Sequence, residues 1–369
     1  MALLEYATHT VPDVVKKAVP SFFWEDPLMK AVKSRGGVKR SGGTHVRFKR
    51  IISGHSDVTQ IDASNMSVPL AKKQTFTTMT GDWGRLIKPV ILPHYDLNRL
   101  GKADEKKQYI KDVVTAALTS LRNDFCRRFY IGDTPSTSLS AIGSLNGGRS
   151  ASNNSNGTSS GLTNGALEFD TPATQATNGN TYLNDARVDD STAADENNHH
   201  NQFVQHGGIG TNFMTTTERI KLRADSYAEK GGIEIVILSI DDQVAVADEI
   251  RALSGSTAAP LVYTMQDWDK GNIHKPIVAH GGMRYYSNRW MSAARMGNYA
   301  GSAGNINEAA FLLNPDFVEY WVNAGEDFRV GKFFDGMEHG NQDALIAYIF
   351  LEIQAVLVGL LVHGCTRAA

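Results

Sequence analysis

Residues 344–362 read ALIAYIFLEIQAVLVGLLV, and the conformation of this segment decides the architecture of the chain. Its length suits a bilayer-spanning helix of about 20 residues. Glu352 and Gln354 stand near its middle, however, and a carboxylate at the bilayer centre costs about 3 kcal/mol even on lenient insertion scales. The membrane reading is therefore set aside. With a period of two, Ala347, Ile349, Leu351, Ile353, Ala355, Leu357, Gly359 and Leu361 share one wholly apolar face, and both polar residues fall on the other. A long strand with one buried side is the first reading and a central helix the second.

A strand of this length needs neighbours, and alternation reappears far upstream. From Thr44, Val46, Phe48 and Arg50 alternate with His45, Arg47 and Lys49, and Gln74-Thr75-Phe76-Thr77-Thr78-Met79 follows later. The intervening 53–70 is polar, with Gly54, Asp57 and Asn65 and no core pattern. Residues 45–92 thus read as a long hairpin with an exposed tip. Such a ribbon is marginal alone, so it is expected to lie against something else, a neighbouring subunit included.

Between hairpin and strand lies the strongest helix signal. Ile110, Val113, Val114, Ala117, Leu118, Leu121, Phe125 and Phe129 recur at spacings of three and four after Asp104. A helix over 105–130 would be about 39 Å long at about 1.5 Å per residue. Then 135–165 turns to Ser, Gly, Asn and Thr with Arg149 its only charge; it buries too little apolar surface to offset its ordering entropy and reads as an exposed insertion. Helix returns over 215–230, with Thr215, Thr216 and Thr217 offering caps and Gly231-Gly232 the stop. A strand at 233–240 and a second helix at 241–253 follow. Gly-rich turns then alternate with short apolar runs at 261–265, 276–279, 282–286 and 309–313.

The whole chain has 369 residues, more than one core usually supports, so two or more lobes are expected. Lys and Arg number 37 against 39 Asp and Glu, a formal charge of -2, which excludes nucleic-acid coating by a global basic field. The first 50 residues nonetheless carry ten cations (Lys16, Lys17, Lys30, Lys33, Arg35, Lys39, Arg40, Arg47, Lys49, Arg50) against four acids (Glu5, Asp13, Glu25, Asp26). Pro20 and Pro27 interrupt helix in this arm and Arg35-Gly36-Gly37 stops it. Contact with a neighbouring subunit ranks first for its charges, a solvated surface second and nucleic acid third. Cys126 and Cys365 form no framework and no CxxC pair, and the amino terminus shows no secretory signal pattern, so a reducing cytoplasm is expected.

Motifs for chemistry are weak. Gly157-Thr158-Ser159-Ser160-Gly161 matches GxSxG, but a nucleophile elbow needs a strand before it and a helix after it, and here it stands in low complexity. His199, His200 and His206, with Asp195 and Glu196, lack zinc-site spacing and read as a solvated loop. Gly207-Gly208-Ile209-Gly210 lacks a preceding strand and a third phosphate-cradle glycine. Asn156-Gly157-Thr158 is a formal sequon without a signal peptide to make it usable. No catalytic, cofactor-binding or metal residue is assigned and no cofactor is expected. What remains are arms and ribbons that cannot bury their own faces, which imply exchange between subunits.

This order of elements resembles that of tailed-bacteriophage major capsid proteins, the α+β Hong Kong 97-like fold also found in encapsulin shells. Local texture agrees at Gly282-Met283-Arg284-Tyr285-Tyr286, Asn288-Arg289-Trp290 and Ala310-Phe311-Leu312-Leu313-Asn314-Pro315. The resemblance implies an N-terminal arm at 1–43, an extended β-hairpin loop at 44–95, and a peripheral domain with its spine helix at 96–134. It further implies a polar insertion at 135–210, an axial domain at 211–325, and return strands of the peripheral domain at 326–369. Lys72 and Lys73 fall in the loop where some relatives crosslink, but no partner is identified and crosslinking is not expected. The implied function is a non-enzymatic capsid subunit that self-assembles in the host cytoplasm. It would form pentamers and hexamers of an icosahedral virion shell around double-stranded DNA, touched non-specifically. Partners would be itself and separate scaffold, portal and decoration proteins, with no membrane. The alternatives are another virion component, such as a tail or decoration protein, and a Ser- or metal-dependent hydrolase.

Overall fold

A computed structural model describes residues 15, 26–51, 76–131, 144–146, 165–167, 181–182, 185–186, 200–228, 230–254, 278–291, 308–337 and 343–368. Helix α1 spans Pro27–Ser34. Pro27 opens this helix rather than interrupting it, because at the first helical position its missing N–H costs nothing. The Asp26 carboxylate caps it, accepting from the amides of Leu28 at 3.0 Å and Met29 at 3.1 Å. Gly36, at φ +76°, turns the chain out of the helix, and Gly37 is pressed so closely between Val32 and Val318 that a side chain has no room.

Strand β1 (Val38–Ser41) is followed by the ribbon of β2 (His45–Ile51) and β3 (Phe76–Asp82), paired antiparallel from His45 opposite Asp82 to Ile51 opposite Phe76. The expected tip at 53–70 lies outside the described residues. Contrary to expectation, the ribbon buries one of its faces within the chain. Val46, Phe48 and Met79 are buried in the main core, and Trp83 just beyond β3 donates to the carbonyl of Gly43 at 2.9 Å. His45, Arg47 and Lys49 point outward, as the two-residue period dictates.

Strand β4 (Gly84–Pro93), short helix α2 (His94–Arg99) and long helix α3 (Ala103–Ile131) come next. With 29 residues, α3 runs about 44 Å. Its buried stripe of Ile110, Val114, Ala117, Leu118, Leu121, Phe125 and Phe129 is nearly the one expected from the spacing. The polar segment after it is not wholly an exposed loop: β5 (Ser144–Asn146) pairs in parallel with β6 (Gly165–Leu167) and packs against α3, with Leu145, Ala166 and Leu167 buried. A two-residue hairpin, β7 (Thr181–Tyr182) with β8 (Asp185–Ala186), follows.

The second lobe contributes β9 (Gln202–Phe203), α4 (Phe213–Asp225), β10 (Ile235–Leu238), α5 (Ile240–Ser254), β11 (Val278–His280), β12 (Met283–Ser287) and β13 (Ala310–Leu313). Helix α4 starts two residues before the expected threonine caps and ends five residues before the expected last helical residue, 230. Thr216 and Thr217 are buried in its first turns, and the Thr217 hydroxyl bonds the Met214 carbonyl at 2.8 Å and the Tyr285 hydroxyl at 3.1 Å. The chain finishes with β14 (Val318–Asn323), β15 (Arg329–Val330), β16 (Phe334–Asp335), β17 (Ala344–Leu357) and β18 (Gly364–Thr366).

Segment 344–357 is thus a strand, as the first reading had it, though 360–362 turns as a 3-10 helix instead of extending it. Strand β17 is the axle of the first six-stranded sheet. One edge pairs antiparallel with β4 from Ala344 opposite Pro93 to Ile353 opposite Gly84. The other edge takes β14, β15 and β16 in succession, and β1 adds in parallel outside β14. Ala347, Ile349, Leu351, Ile353 and Ala355 face the α3 side and are fully buried.

The second sheet runs β11-β12-β10-β13-β18-β9. Its membership departs from the expected division at 325: β14 belongs with β17, and β18 joins the second sheet. Physically, the two later passages between the sheets, β13 to β14 and β17 to β18, run through the 3-10 turns 315–317 and 360–362, each too short to carry more than a change of direction. Asn314 and His363 lock these crossings together, the Asn314 amide donating to His363 Nδ1 at 3.2 Å.

Candidate assembly surfaces

Three of the arm's ten cations, Arg35, Lys39 and Arg40, find acidic partners within the chain. Arg35 at the end of α1 reaches Glu234 Oε2 at 2.6 Å and Asp316 Oδ1 at 3.2 Å, one residue from each side of the sheet crossing. Lys39 pairs with Glu319 at 2.5 Å and lies 5.1 Å over the Trp321 ring, and Arg40 pairs with Asp327 at 2.6 Å. All are partly exposed, so each contributes at most about 1 kcal/mol. Their combined effect is positional: Lys39 ties β1 to β14, Arg40 ties it to the turn beyond β14, and Arg35 ties the end of α1 to the second lobe and the crossing.

A second anchor lies beneath. Tyr130 near the end of α3 donates its hydroxyl to the Asp26 carboxylate, 2.8 and 2.9 Å from the two oxygens, so the cap of α1 is also the latch between arm and long helix. Burial, then the Asp26 charge, pushes the Tyr130 hydroxyl well above the ordinary phenol range, keeping it a donor at all working pH. Phe125 and Phe129 meet Tyr320 of β14 edge-on at 5.9 and 5.5 Å, completing the seam. Further along α3, burial raises the Asp124 carboxyl, but hydrogen bonds and charge from Arg128 and Arg127 outweigh it and leave it below the usual carboxylate range.

The first sheet has one face covered by α3 and the other left open along β4 and the middle of β17, with Ile346, Gln354 and Val356 buried toward its ends. Strand β4 alternates buried Leu86, Val90 and Leu92 with exposed Arg85, Ile87, Pro89 and Ile91. The register aligns Glu352, Phe350, Tyr348 and Ile346 of β17 with those exposed residues. Tyr348 stacks with Phe334 at 6.0 Å and tilts against Phe350 at 6.2 Å. Arg329 and Arg85 cover Phe350 at 4.6 and 5.9 Å. This face is an apolar and aromatic surface edged by cations, a composition typical of protein contacts. At its far end an open cleft of about 560 Å³ is lined by His94, Tyr95, Asn98, Arg99, Asp335, Met337 and Asp343.

The weak chemical motifs do not assemble into a site. Gly157, Ser159, Ser160, Gly161 and His199, with Asp195, Glu196 and the sequon at Asn156, lie outside the described residues. His200 and His206 are buried, not part of a solvated loop. Strand β9 and the bridge from His206 to Ala368 stitch this stretch to the end of the chain. The Gly208 amide donates to His206 Nδ1 at 3.1 Å, so Nε2 carries the proton and donates to the Glu308 carbonyl at 3.1 Å. Among the described residues, no three His, Cys, Asp or Glu side chains are grouped as metal ligands. Gly207 and its neighbours form a turn whose amides are taken by Asn212, His206, Glu308 and Glu249. Cys126 and Cys365 are buried thiols in the core, and Cys365 Sγ accepts from the Asn201 amide at 3.2 Å. Among the described residues, no helix is long and apolar enough to cross a membrane. Sequence reasoning missed the bare sheet face, although Ile87 and Ile91 were a signal: apolar residues on both sides of β4.

No protein-family model matches the chain, and no curated protein matches it. Among solved structures, it is similar to a chain of the satellite phage P4 procapsid with size determination protein, at 10% identity over 96% of this chain and 90% of that one, TM-score 0.46. It is similar to the cyanophage A-1(L) capsid, at 12% identity over 90% of each chain, TM-score 0.49. It is also similar to a virus-like particle from Pyrococcus furiosus, at 9% identity over the full length of both chains, TM-score 0.41.

Proposed function

We propose that this chain is a structural shell subunit, a major capsid protein that assembles with copies of itself. It would form pentamers and hexamers of a closed icosahedral particle around double-stranded DNA, within a virion. The observation that carries the reading is the bare face of the first sheet. A sheet covered by α3 on one side normally buries the other side too or makes it polar. Here Ile87, Ile91 and Tyr348 remain exposed beside Phe350 and Phe334. A surface of this kind calls for a covering layer from outside the subunit.

Three features support the reading. The ribbon of β2 and β3 leaves the first sheet through β4. The arm adds β1 to that sheet as an outermost strand. The second lobe joins the first through short crossings, the Arg35 ion pairs and a shared core to which Ile235, Ile237, Phe311 and Leu313 contribute. The part the enclosed DNA and any separate scaffold, portal or decoration protein would play comes from the resemblance in element order.

The test is direct. Purified chain, alone or co-expressed with a scaffold, examined by negative-stain microscopy and sedimentation velocity, is expected to give closed particles or discrete capsomers. Tubes, or binding only to pre-existing shells, would point to a tail or decoration protein. A monomer under every condition of salt, pH and concentration sinks the proposal.

A further inference from the structure

The second lobe carries a pair of surfaces that the fold leaves unexplained. Helices α4 and α5 cover the same face of the second sheet: Phe213, Met214, Ile220 and Ala224 of α4 and Val246 of α5 share one core cluster with Val236, Leu238, Met283, Tyr285 and Leu312. Helix α4 lies toward β13, β18 and β9, and α5 toward β12, so they are neighbouring ridges on one side of the lobe.

The outward stripe of α4 holds Thr215, Arg219, Leu222, Arg223 and Ser226, every residue exposed. Leu222 is 72% exposed and Tyr227, just past the helix, 52%. The outward stripe of α5 holds Ile240, Asp241, Val244, Ala245 and Asp248, again all exposed, with Ile240 at 55% and Val244 at 59%. These spacings of three and four put each set on one side of its helix. Near α5, burial raises the Asp242 carboxyl, Ser239 opposes this by hydrogen bonding, and the charges of Glu308 and Asp241 push it further up.

Helix dipoles account for some of the charge, since acids suit the start of α5 and Arg223 the last turn of α4. They give no reason for four large apolar side chains to stand in water. One stripe is apolar and cationic, the other apolar and acidic, so each is what the other would bind.

Resting on the shell reading, we propose that the α4 stripe of one subunit docks on the α5 stripe of a second copy. Leu222 and Tyr227 pack against Ile240 and Val244, while Arg219 and Arg223 face Asp241 and Asp248. The contact uses the second lobe and is separate from the bare face of the first sheet.

Charge reversal tests it on the full chain. One variant carries Arg219→Glu with Arg223→Glu, making both stripes acidic; the other carries Asp241→Lys with Ala245→Lys, making α5 basic. Each alone is expected to lose self-association by about a hundredfold in sedimentation velocity, from like-charge contact. An equimolar mixture is expected to regain it, because acidic α4 then meets basic α5 and basic α4 meets acidic α5. The inference is overturned if either variant assembles as wild type does, or if the mixture stays dissociated. It is also overturned if both variants melt more than about 5 °C lower as monomers, which would mean the chain itself covers the stripes. A wild-type chain that never self-associates sinks the shell reading; assembly that persists in both variants sinks this contact alone.

Discussion

The two sheets have the same number of strands and opposite exposures. In the second sheet β10 and β13 are buried at every residue. Val236 and Leu312 face α4 and α5, while Ile235, Ile237, Phe311 and Leu313 face the main core. In the first sheet β4 alternates, buried toward α3 and exposed away from it. Yet its exposed positions include Ile87 and Ile91, as apolar as those inside. The second sheet is therefore complete within one subunit, whereas the first has the composition of a buried sheet and the burial of a half-covered one. Stability within the chain belongs to the faces it covers for itself.

The largest expected effect attacks the joint between the sheets. His363 is fully buried, and burial lowers its pKa from 6.5 to about 3, only partly opposed by a backbone hydrogen bond at Phe317. The folded chain thus holds a neutral imidazole while the unfolded chain takes up a proton below pH 6.5. Stability is fully present above pH 6.5 and is lost as pH falls toward 3, by on the order of 4 kcal/mol. His363→Gln should flatten the dependence of the urea midpoint on pH between 7 and 4; an unchanged slope would show that acid acts elsewhere.

Next comes the covered face. Leu351→Ala empties a fully buried position of β17 and should cost about 3 kcal/mol, read as a lower denaturation midpoint. A loss under about 1 kcal/mol would mean the two faces of β17 are not energetically distinct. Asp26→Ala removes the cap of α1 and the partner of Tyr130 together. It is expected to cost about 2 kcal/mol and to speed proteolysis of the arm before the rest of the chain. The smallest effect on the monomer belongs to the bare face: Ile87→Ser should change folding stability by under about 0.5 kcal/mol while clearly reducing the yield of particles. If it destabilises the monomer as much as Leu351→Ala does, the contrast between the faces collapses.

Much of this fold was legible because periodicity survives in long elements. The stripe from Ile110 to Phe129 located α3 to within a residue or two, and alternation through Ala347 to Ala355 separated strand from helix. Boundaries were lost where tertiary packing overrode local signals. Pro27 serves as a helix start because Asp26 precedes it, and Leu357 ends β17 because the chain must cross at 360–362. Thr216 and Thr217 are buried by the sheet beneath them rather than used as caps. The arm's charges were visible, but their partners Glu234, Asp316, Glu319 and Asp327 lie about 200 to 290 residues away, beyond any local pattern. The bare face was legible only in part: Ile87 and Ile91 put apolar residues on both sides of β4, but that Phe350 lies beside Ile87 follows only from the register.

The ladder between β4 and β17 has a mechanical consequence. The ribbon enters β4 at Gly84, opposite Ile353, close to where β17 leaves for the second lobe; α2 and α3 are reached from the other end, at Pro93, opposite Ala344. Tension between α3 and the second lobe therefore draws the two antiparallel strands in opposite directions along their length. All ten paired positions are loaded together in shear. The ribbon joins at the same end as the crossing, where the Gln354 side chain donates to the Asp82 carbonyl at 2.8 Å, so it lies outside the loaded ladder. A chain built this way resists stretching between α3 and the second lobe along its whole ladder.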